Sequence, residues 1–328
     1  MKPYTKEELV SFNGTELFPG VILIRPSIKN YLTSSSLLFV DETTLIADSG
    51  FQHNTDQLKK TRKLFNPDVL FFSHFHLDHT FGCHTFPDSQ KLIHQIERDA
   101  LPTSELFIQF CYNGTIIPKN ELAFWIKRFQ NILKVENLSN WDDLHLNDVK
   151  AFKGNDIIDL GNFQLEIIHL PGHSPGHSGL FEPNNKILFI GDFDISKQLF
   201  AWYGWKNSNL PIFRKSVIQL RKFIEENDIS LIIPSHSKPV QKQECLKRLD
   251  DFYTVFDKRK DKILEFLSKH KKGTSIEDIA QQSFIFQGKK SNPPFIWEYF
   301  EKIHIEEHVK ELITEKSVCI DGNLITLN

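Results

Sequence analysis

Residues 74–79 read His-Phe-His-Leu-Asp-His, three imidazoles and a carboxylate within six positions, directly after the apolar run Val69-Leu70-Phe71-Phe72. In extended backbone, side chains two residues apart point to the same side, so His74 and His76 form a pair, and Asp78 and His79 come from the turn that follows. Neutral imidazole and carboxylate suit zinc, manganese or iron, and no thiolate belongs to the pattern. The plain alternative is a polar loop in a chain with 14 histidines. Four further segments weigh against it. Asp48 lies in LIADSG, His173 in IIHLPGHSPGH, Asp192 in LFIGDFD and His236 in LIIPSHSKP, each just after a short apolar run. Loops leaving strands at one edge of a sheet converge on one crevice while the sheet holds them rigid. Scattered structural histidines have no reason to show this order.

The elements that must position these groups are legible as alternating patterns. VILI (21–24), SLLFV (36–40), TLIA (44–47), VLFF (69–72), LEIIHL (165–170), KILFI (186–190) and LIIP (231–234) are short, apolar and bounded by Gly, Pro, Asp or Asn, which fits buried strands. Helical patterns at 55–65 and 213–227 lie between them, so the spacing predicts an α/β layered core. Residues 95–150 break the rhythm with a long aromatic, helix-prone stretch, a lid beside a site or a packed surface excursion. Beyond residue 250 the pattern predicts three helices, with Thr274 and Glu277 spaced as a capping box, and then a hairpin turning on Asp321-Gly322-Asn323. Three helices and a hairpin make a small winged-helix-like domain over 250–328, following a catalytic domain over 1–249.

Composition bounds the partners. At 328 residues the chain can bury a large core, and its formal net charge of −3 gives no general pull towards nucleic acid or membrane. No apolar run approaches the roughly 20 residues that cross a bilayer. The N-terminus lacks the apolar core of a signal peptide, and the four cysteines are scattered without a CxxC pair, so reduced thiols and a cytoplasmic location are expected. Cys83 falls close to the histidine cluster and is expected to be a small packed residue.

On these five motifs the chain resembles the metallo-β-lactamase fold superfamily of hydrolases, over residues 20–240 and in family order. The resemblance implies an αβ/βα sandwich, here with a helical insertion and the C-terminal appendix. It implies two divalent ions, zinc foremost, with iron or manganese as alternatives. His74, His76 and His173 would hold the first ion, Asp78, His79 and His236 the second, and Asp192 would bridge both. Asp48 would orient the ligand loops from outside the coordination sphere. True β-lactamases of the superfamily depart from the Asp78-His79 pair, and flavodiiron relatives replace an early histidine with glutamate. This chain does neither, which favours a hydrolytic dinuclear site. His169 and His177, beside the third motif, are expected to be structural or to support the ligands from outside the coordination sphere.

The chemistry implied is attack by a metal-bridging hydroxide on an ester, thioester or phosphodiester, with Asp78 orienting the nucleophile. No nucleophile-elbow motif is visible. Tyr203, in the aromatic loop after Asp192, is a candidate for the substrate pocket, with packing against the insertion as its alternative. Lys206 could bind an anionic group there. The C-terminal pattern resembles the β-lactamase-like protein 2 branch, which includes an endoribonuclease acting on single-stranded RNA. Charge argues for caution: residues 250–328 carry 12 Lys and Arg against 14 Asp and Glu, and the only basic excess, 258–272, has 7 against 2. A glyoxalase II-like thioesterase or a lactone or ester hydrolase fits the same metal motifs. A metal-bound sensor or binding protein is a third reading. Substrate, metal identity and oligomeric state, a homodimer included, stay open.

Overall fold

A computed structural model describes residues 4–27, 33–51, 55–196, 200–288 and 295–328. The first sheet contains β1 (Gly14–Phe18), β2 (Val21–Ile24), β3 (Ser36–Phe39), β4 (Leu45–Ala47), β5 (Val69–Phe71), β6 (Gln90–His94) and β7 (Val149–Phe152), side by side in that order. It is antiparallel from β1 to β4 and parallel from β4 to β7. The second sheet holds β8 (Ile157–Asp159), β9 (Gln164–His169), β10 (Ser178–Glu182), β11 (Ile187–Gly191), β12 (Leu231–Pro234) and β13 (Val240–Gln241), with β11 and β12 parallel and the other neighbours antiparallel.

Strand alternation sorts the side chains into layers. Val21, Leu23, Leu37, Phe39, Leu45, Val69 and Phe71 of the first sheet share one core with Leu165, Ile167, Leu180, Ile187, Phe189 and Ile233 of the second. The two sheets are therefore packed face to face. Their intervening residues point outward. Ile22, Ile24, Leu38, Ile46 and Leu70 meet helices α2 (Thr55–Phe65), α4 (Ser104–Cys111) and α5 (Lys119–Val135), while Ile168, Leu188, Ile190 and Ile232 meet α6 (Leu210–Glu226) and the first half of α7 (Lys242–Lys269). The result is the expected αβ/βα sandwich. The short helices α1 (Lys6–Ser11), α3 (Leu77–Thr80) and α8 (Ile276–Ala280), the long α9 (Phe295–Thr314) and the hairpin β14 (Val318–Asp321) and β15 (Leu324–Leu327) complete the chain.

The strand runs and α2 fall where the sequence pattern puts them. α6 begins earlier than the apolar pattern, because Asn209 caps it by accepting from the Ile212 N–H, with a proline in the first turn. The capping box differs from the expected one. Ser275 and Asp278 form it, and Thr274 instead exchanges backbone hydrogen bonds with Ile325 of the hairpin. α7 runs unbroken through residue 250. Its Cys245, Leu249, Phe252 and Phe256 pack under the second sheet, and its Ile263 and Leu267 join α9, α4 and α5. The insertion helices and the C-terminal helices thus share one aromatic core in which Trp125 contacts Trp205 and Phe300. Among the described residues no helix is long and apolar enough to cross a membrane.

Candidate metal centre

The strands that precede the polar motifs end at one rim. β4 and β5 are parallel neighbours, so Asp48 and Ser73 emerge side by side, and the Asp48 N–H donates to the Phe71 carbonyl at 2.8 Å. β11 and β12 are parallel neighbours in the facing sheet and deliver Asp192 and His236. His173 comes from the turn after β9, where Gly172, at φ +126°, sits so close to Phe213 that a Cβ would approach its Cα to 2.3 Å.

All seven residues assigned to metal meet there, in two groups that share Asp192: His74, His76, His173 and Asp192, and Asp78, His79, Asp192 and His236. In the first, His74 Nε2 lies 2.9 Å from His76 Nδ1, and His173 Nε2 lies 3.1 Å from each. Asp192 Oδ2 is 3.3 Å from His173 Nε2 and 3.9 Å from His74 Nε2. In the second, Asp192 Oδ1 is 2.9 Å from His79 Nε2 and 3.0 Å from His236 Nε2, and Asp78 Oδ2 is 3.5 and 3.4 Å from the same two nitrogens. One carboxylate thus turns an oxygen to each group.

Four of the five imidazoles, His76 being the exception, have a partner on the outward nitrogen, which leaves the inward nitrogen as the one available to a metal. His79 Nδ1–H donates to Asp48 Oδ2 at 2.6 Å, His173 Nδ1–H to the Trp202 carbonyl at 3.0 Å and His236 Nδ1–H to the Thr33 carbonyl at 3.1 Å. Ser73 Oγ donates to Asp48, so its oxygen is left to accept from His74 Nδ1–H at 3.0 Å. Lone pairs aimed at one another across about 3 Å repel. A tetrahedral site with metal–nitrogen bonds of about 2 Å has edges of about 3.3 Å, so cations fit both groups.

Electrostatics divides the groups. Burial, reinforced by neighbouring imidazoles, holds His74 and His76 well below the usual histidine range, and burial also lowers His173. Burial alone would lower His79 and His236 as well, but the carboxylates of Asp192 and Asp78, and of Asp48 for His79, overcome it and raise both well above that range. Burial likewise opposes ionisation of Asp78 and Asp192, and the imidazoles of His79 and His236 outweigh it and keep both carboxylates ionised. His74 and His79 are fully enclosed, whereas the side chains of Asp78, Asp192 and His236 are 15, 10 and 18 % exposed. Solvent therefore reaches the centre across those three.

The remaining expectations sort cleanly. His177 supports the centre from behind: its Nδ1–H donates to the Leu170 carbonyl and its Nε2 accepts the Asp192 backbone N–H at 3.0 Å. His169 stacks on His94, away from both groups of ligands. Cys83 is buried, donates to the Leu144 carbonyl, and has its thiol pushed up to about 12 by burial, as a packed residue should. Tyr203 is fully buried and its hydroxyl is committed to His308 and Arg259, so it packs against the C-terminal helices and not against the insertion. Lys206 lies over the Tyr112 ring. Phe75, between His74 and His76, packs on Phe107 and Phe110 of α4, so the insertion buttresses the histidine loop. Two supporting groups escaped the motif reading. Ser73 joins Asp48 to His74. Glu97, fully buried, accepts from Ser174 Oγ at 2.5 Å and the Gly176 N–H at 2.8 Å, bracing the His173 turn.

Residues 29–236 match the metallo-beta-lactamase superfamily, and the chain belongs to it. It is 24% identical over 211 residues to acyl-coenzyme A thioesterase MBLAC2 of Bos taurus, a match spanning 64% of this chain and 64% of that protein's length. A shorter stretch of 37 residues, 11% of this chain and 18% of the other, is 51% identical to hydroxyacylglutathione hydrolase GloC of Haemophilus influenzae. In fold it is similar to a beta-lactamase domain protein from Burkholderia ambifaria, with a TM-score of 0.67 and 14% identity over 96% of this chain and 93% of that one.

Proposed function

We propose that the protein is a dinuclear metal-dependent hydrolase of acyl thioesters, with coenzyme A thioesters as the leading substrate class. The observation behind this reading is Asp192, whose two oxygens face two separate sets of imidazoles. His74, His76, His173 and Asp192 would hold one ion, zinc foremost, and Asp78, His79, His236 and Asp192 the other. Ions bound there supply Lewis acidity and bring the pKa of coordinated water towards about 7. The chain's own residues do the rest. The ionised, partly exposed Asp78 would accept a hydrogen bond and so orient the nucleophile on the open side of the centre. Asp48, Thr33 and Trp202 keep the ligand imidazoles in the tautomers that leave the inward nitrogens bare.

Similarity to an acyl-coenzyme A thioesterase, and over a short stretch to a hydroxyacylglutathione hydrolase, supports the thioester. The single-stranded RNA reading loses ground at 258–272. Arg259 there is buried, Lys260 pairs with Glu315 and Lys269 with Glu265, which thins the basic face a strand would need. Three buried free cysteines suit a reducing compartment such as the cytoplasm. The test is thiol release from acyl-coenzyme A by metal-replete protein, beside labelled single-stranded RNA, with Asp78→Ala in parallel. Thiol release by the wild type, lost in Asp78→Ala, is expected. RNA cleavage without thiol release would move the protein to the nuclease branch.

A further inference from the structure

The peptide unit joining Trp202 to Tyr203 is held from both sides by histidines. Its carbonyl accepts from His173 Nδ1–H at 3.0 Å, and its N–H donates to His304 Nε2 at 3.2 Å. His304 belongs to α9, near the other end of the chain, and is fully buried. Its own Nδ1–H donates to the Phe300 carbonyl at 2.7 Å, so Nε2 is the acceptor. Arg259 of α7 secures the neighbouring peptide, donating to the Ala201 carbonyl at 2.7 Å and to the Tyr203 hydroxyl at 2.9 Å. That hydroxyl donates in turn to His308 Nε2 at 2.8 Å. The Trp202 ring wedges against Phe300 and His304. Further along, Ser208 Oγ donates to the His173 carbonyl and the Leu210 N–H to Glu307 of α9.

We infer that His304 and Arg259 are positioning residues for the metal centre, acting on His173 through the Ala201–Tyr203 backbone, so that the C-terminal helices are part of the centre's scaffold. This rests on the metal-centre reading above. The carbonyl of the 202–203 peptide fixes the tautomer and ring plane of His173, and that peptide has no freedom to rotate while both faces are bonded. Releasing one face lets the carbonyl tilt, and outer partners of ligand histidines typically account for about 10- to 100-fold in metal affinity. His304 stands one step further out, so about tenfold or somewhat less is expected.

The test uses the full chain, stripped of metal and titrated with Co(II) against a chelator. Visible absorption reports the ligand geometry, and melting of the metal-free protein reports the fold. Wild type should take up two ions. His304→Leu should weaken one of them by about three- to tenfold and alter its Co(II) spectrum, leaving the other unchanged. His304→Gln, which keeps an acceptor for the Tyr203 N–H, should restore both readings. Arg259→Met gives the same readout independently should His304→Leu not fold. A role in stability alone would lower the melting temperature and leave affinity and spectrum at their wild-type values. That result in the folded variants overturns the inference. Failure of the wild type to bind two ions overturns the metal reading instead, and this inference with it.

Discussion

Asp48 and His79 form a fully enclosed pair, the imidazole Nδ1–H donating to the carboxylate at 2.6 Å. The same carboxylate accepts from the Ser73 N–H and hydroxyl, both at 2.8 Å, and Ser73 orients His74. Asp48 therefore orients one imidazole in each group, His79 directly and His74 through Ser73. Asp48→Asn keeps the size but cannot accept from all three donors as a charge. Both ions should bind about 10- to 100-fold more weakly, read by chelator competition. An effect confined to one ion would mean that Ser73 orients His74 without help from Asp48.

Protons and metal compete unequally at the two groups. His79 and His236 are raised in the metal-free protein, so at neutral pH they hold protons that a metal must displace. His74, His76 and His173 are lowered and have none to give up. The sign for folding runs the opposite way to that for binding. Raised imidazoles stabilise the metal-free fold below the ordinary histidine value of about 6.5, and this is lost as pH rises through their folded values. Metal binding to that group strengthens over the same rise. The gap in melting temperature between metal-loaded and metal-free protein should widen from pH 6 to pH 8. Calorimetry in buffers of different ionisation enthalpy should show proton release for one ion and almost none for the other. Equal release from both would contradict the assignment.

Glu97 is held up to about 7 by burial, against the pull of its bonds from Ser174 and Gly176. A carboxyl raised in the folded state stabilises below its unfolded value of about 4.5, and that stability is lost as pH rises through about 7. The term is of order 3 kcal/mol. Metal-free Glu97→Gln should lose this slope and become the more stable of the two at pH 8, as judged by chemical denaturation. Parallel pH profiles for the two proteins would show that Glu97 stays ionised.

The residues that meet at the candidate centre were legible because each of their motifs follows a strand whose apolar run marks its own end. His74 and His76 show the limit of that logic. They lie in a bend after β5, not in the strand, and converge because the turn into α3 follows at once. β1, β6, β7, β8, β10 and β13 lack a long continuous apolar run in the sequence, β1 and β8 because they are half-exposed and β13 because it has two residues. The supporting groups were beyond reach for another reason. Glu97, His304 and Arg259 sit in unremarkable local sequence, and their roles arise from contacts over 77, 101 and 58 residues of chain. A backbone carbonyl such as that of Trp202 leaves no mark on side-chain spacing at all. Tyr203 sat in the right loop, but only packing reveals which way a buried aromatic turns.

Two ions at these two groups would make the protein a thioester hydrolase. The most direct measurement is the rate of thiol release from an acyl-coenzyme A as metal is added stepwise to the stripped protein, with Asp192→Asn beside it. The account predicts a rate that climbs to a plateau at two equivalents for the wild type and stays near background for Asp192→Asn. A rate that ignores metal, or that survives loss of the shared carboxylate, would contradict it.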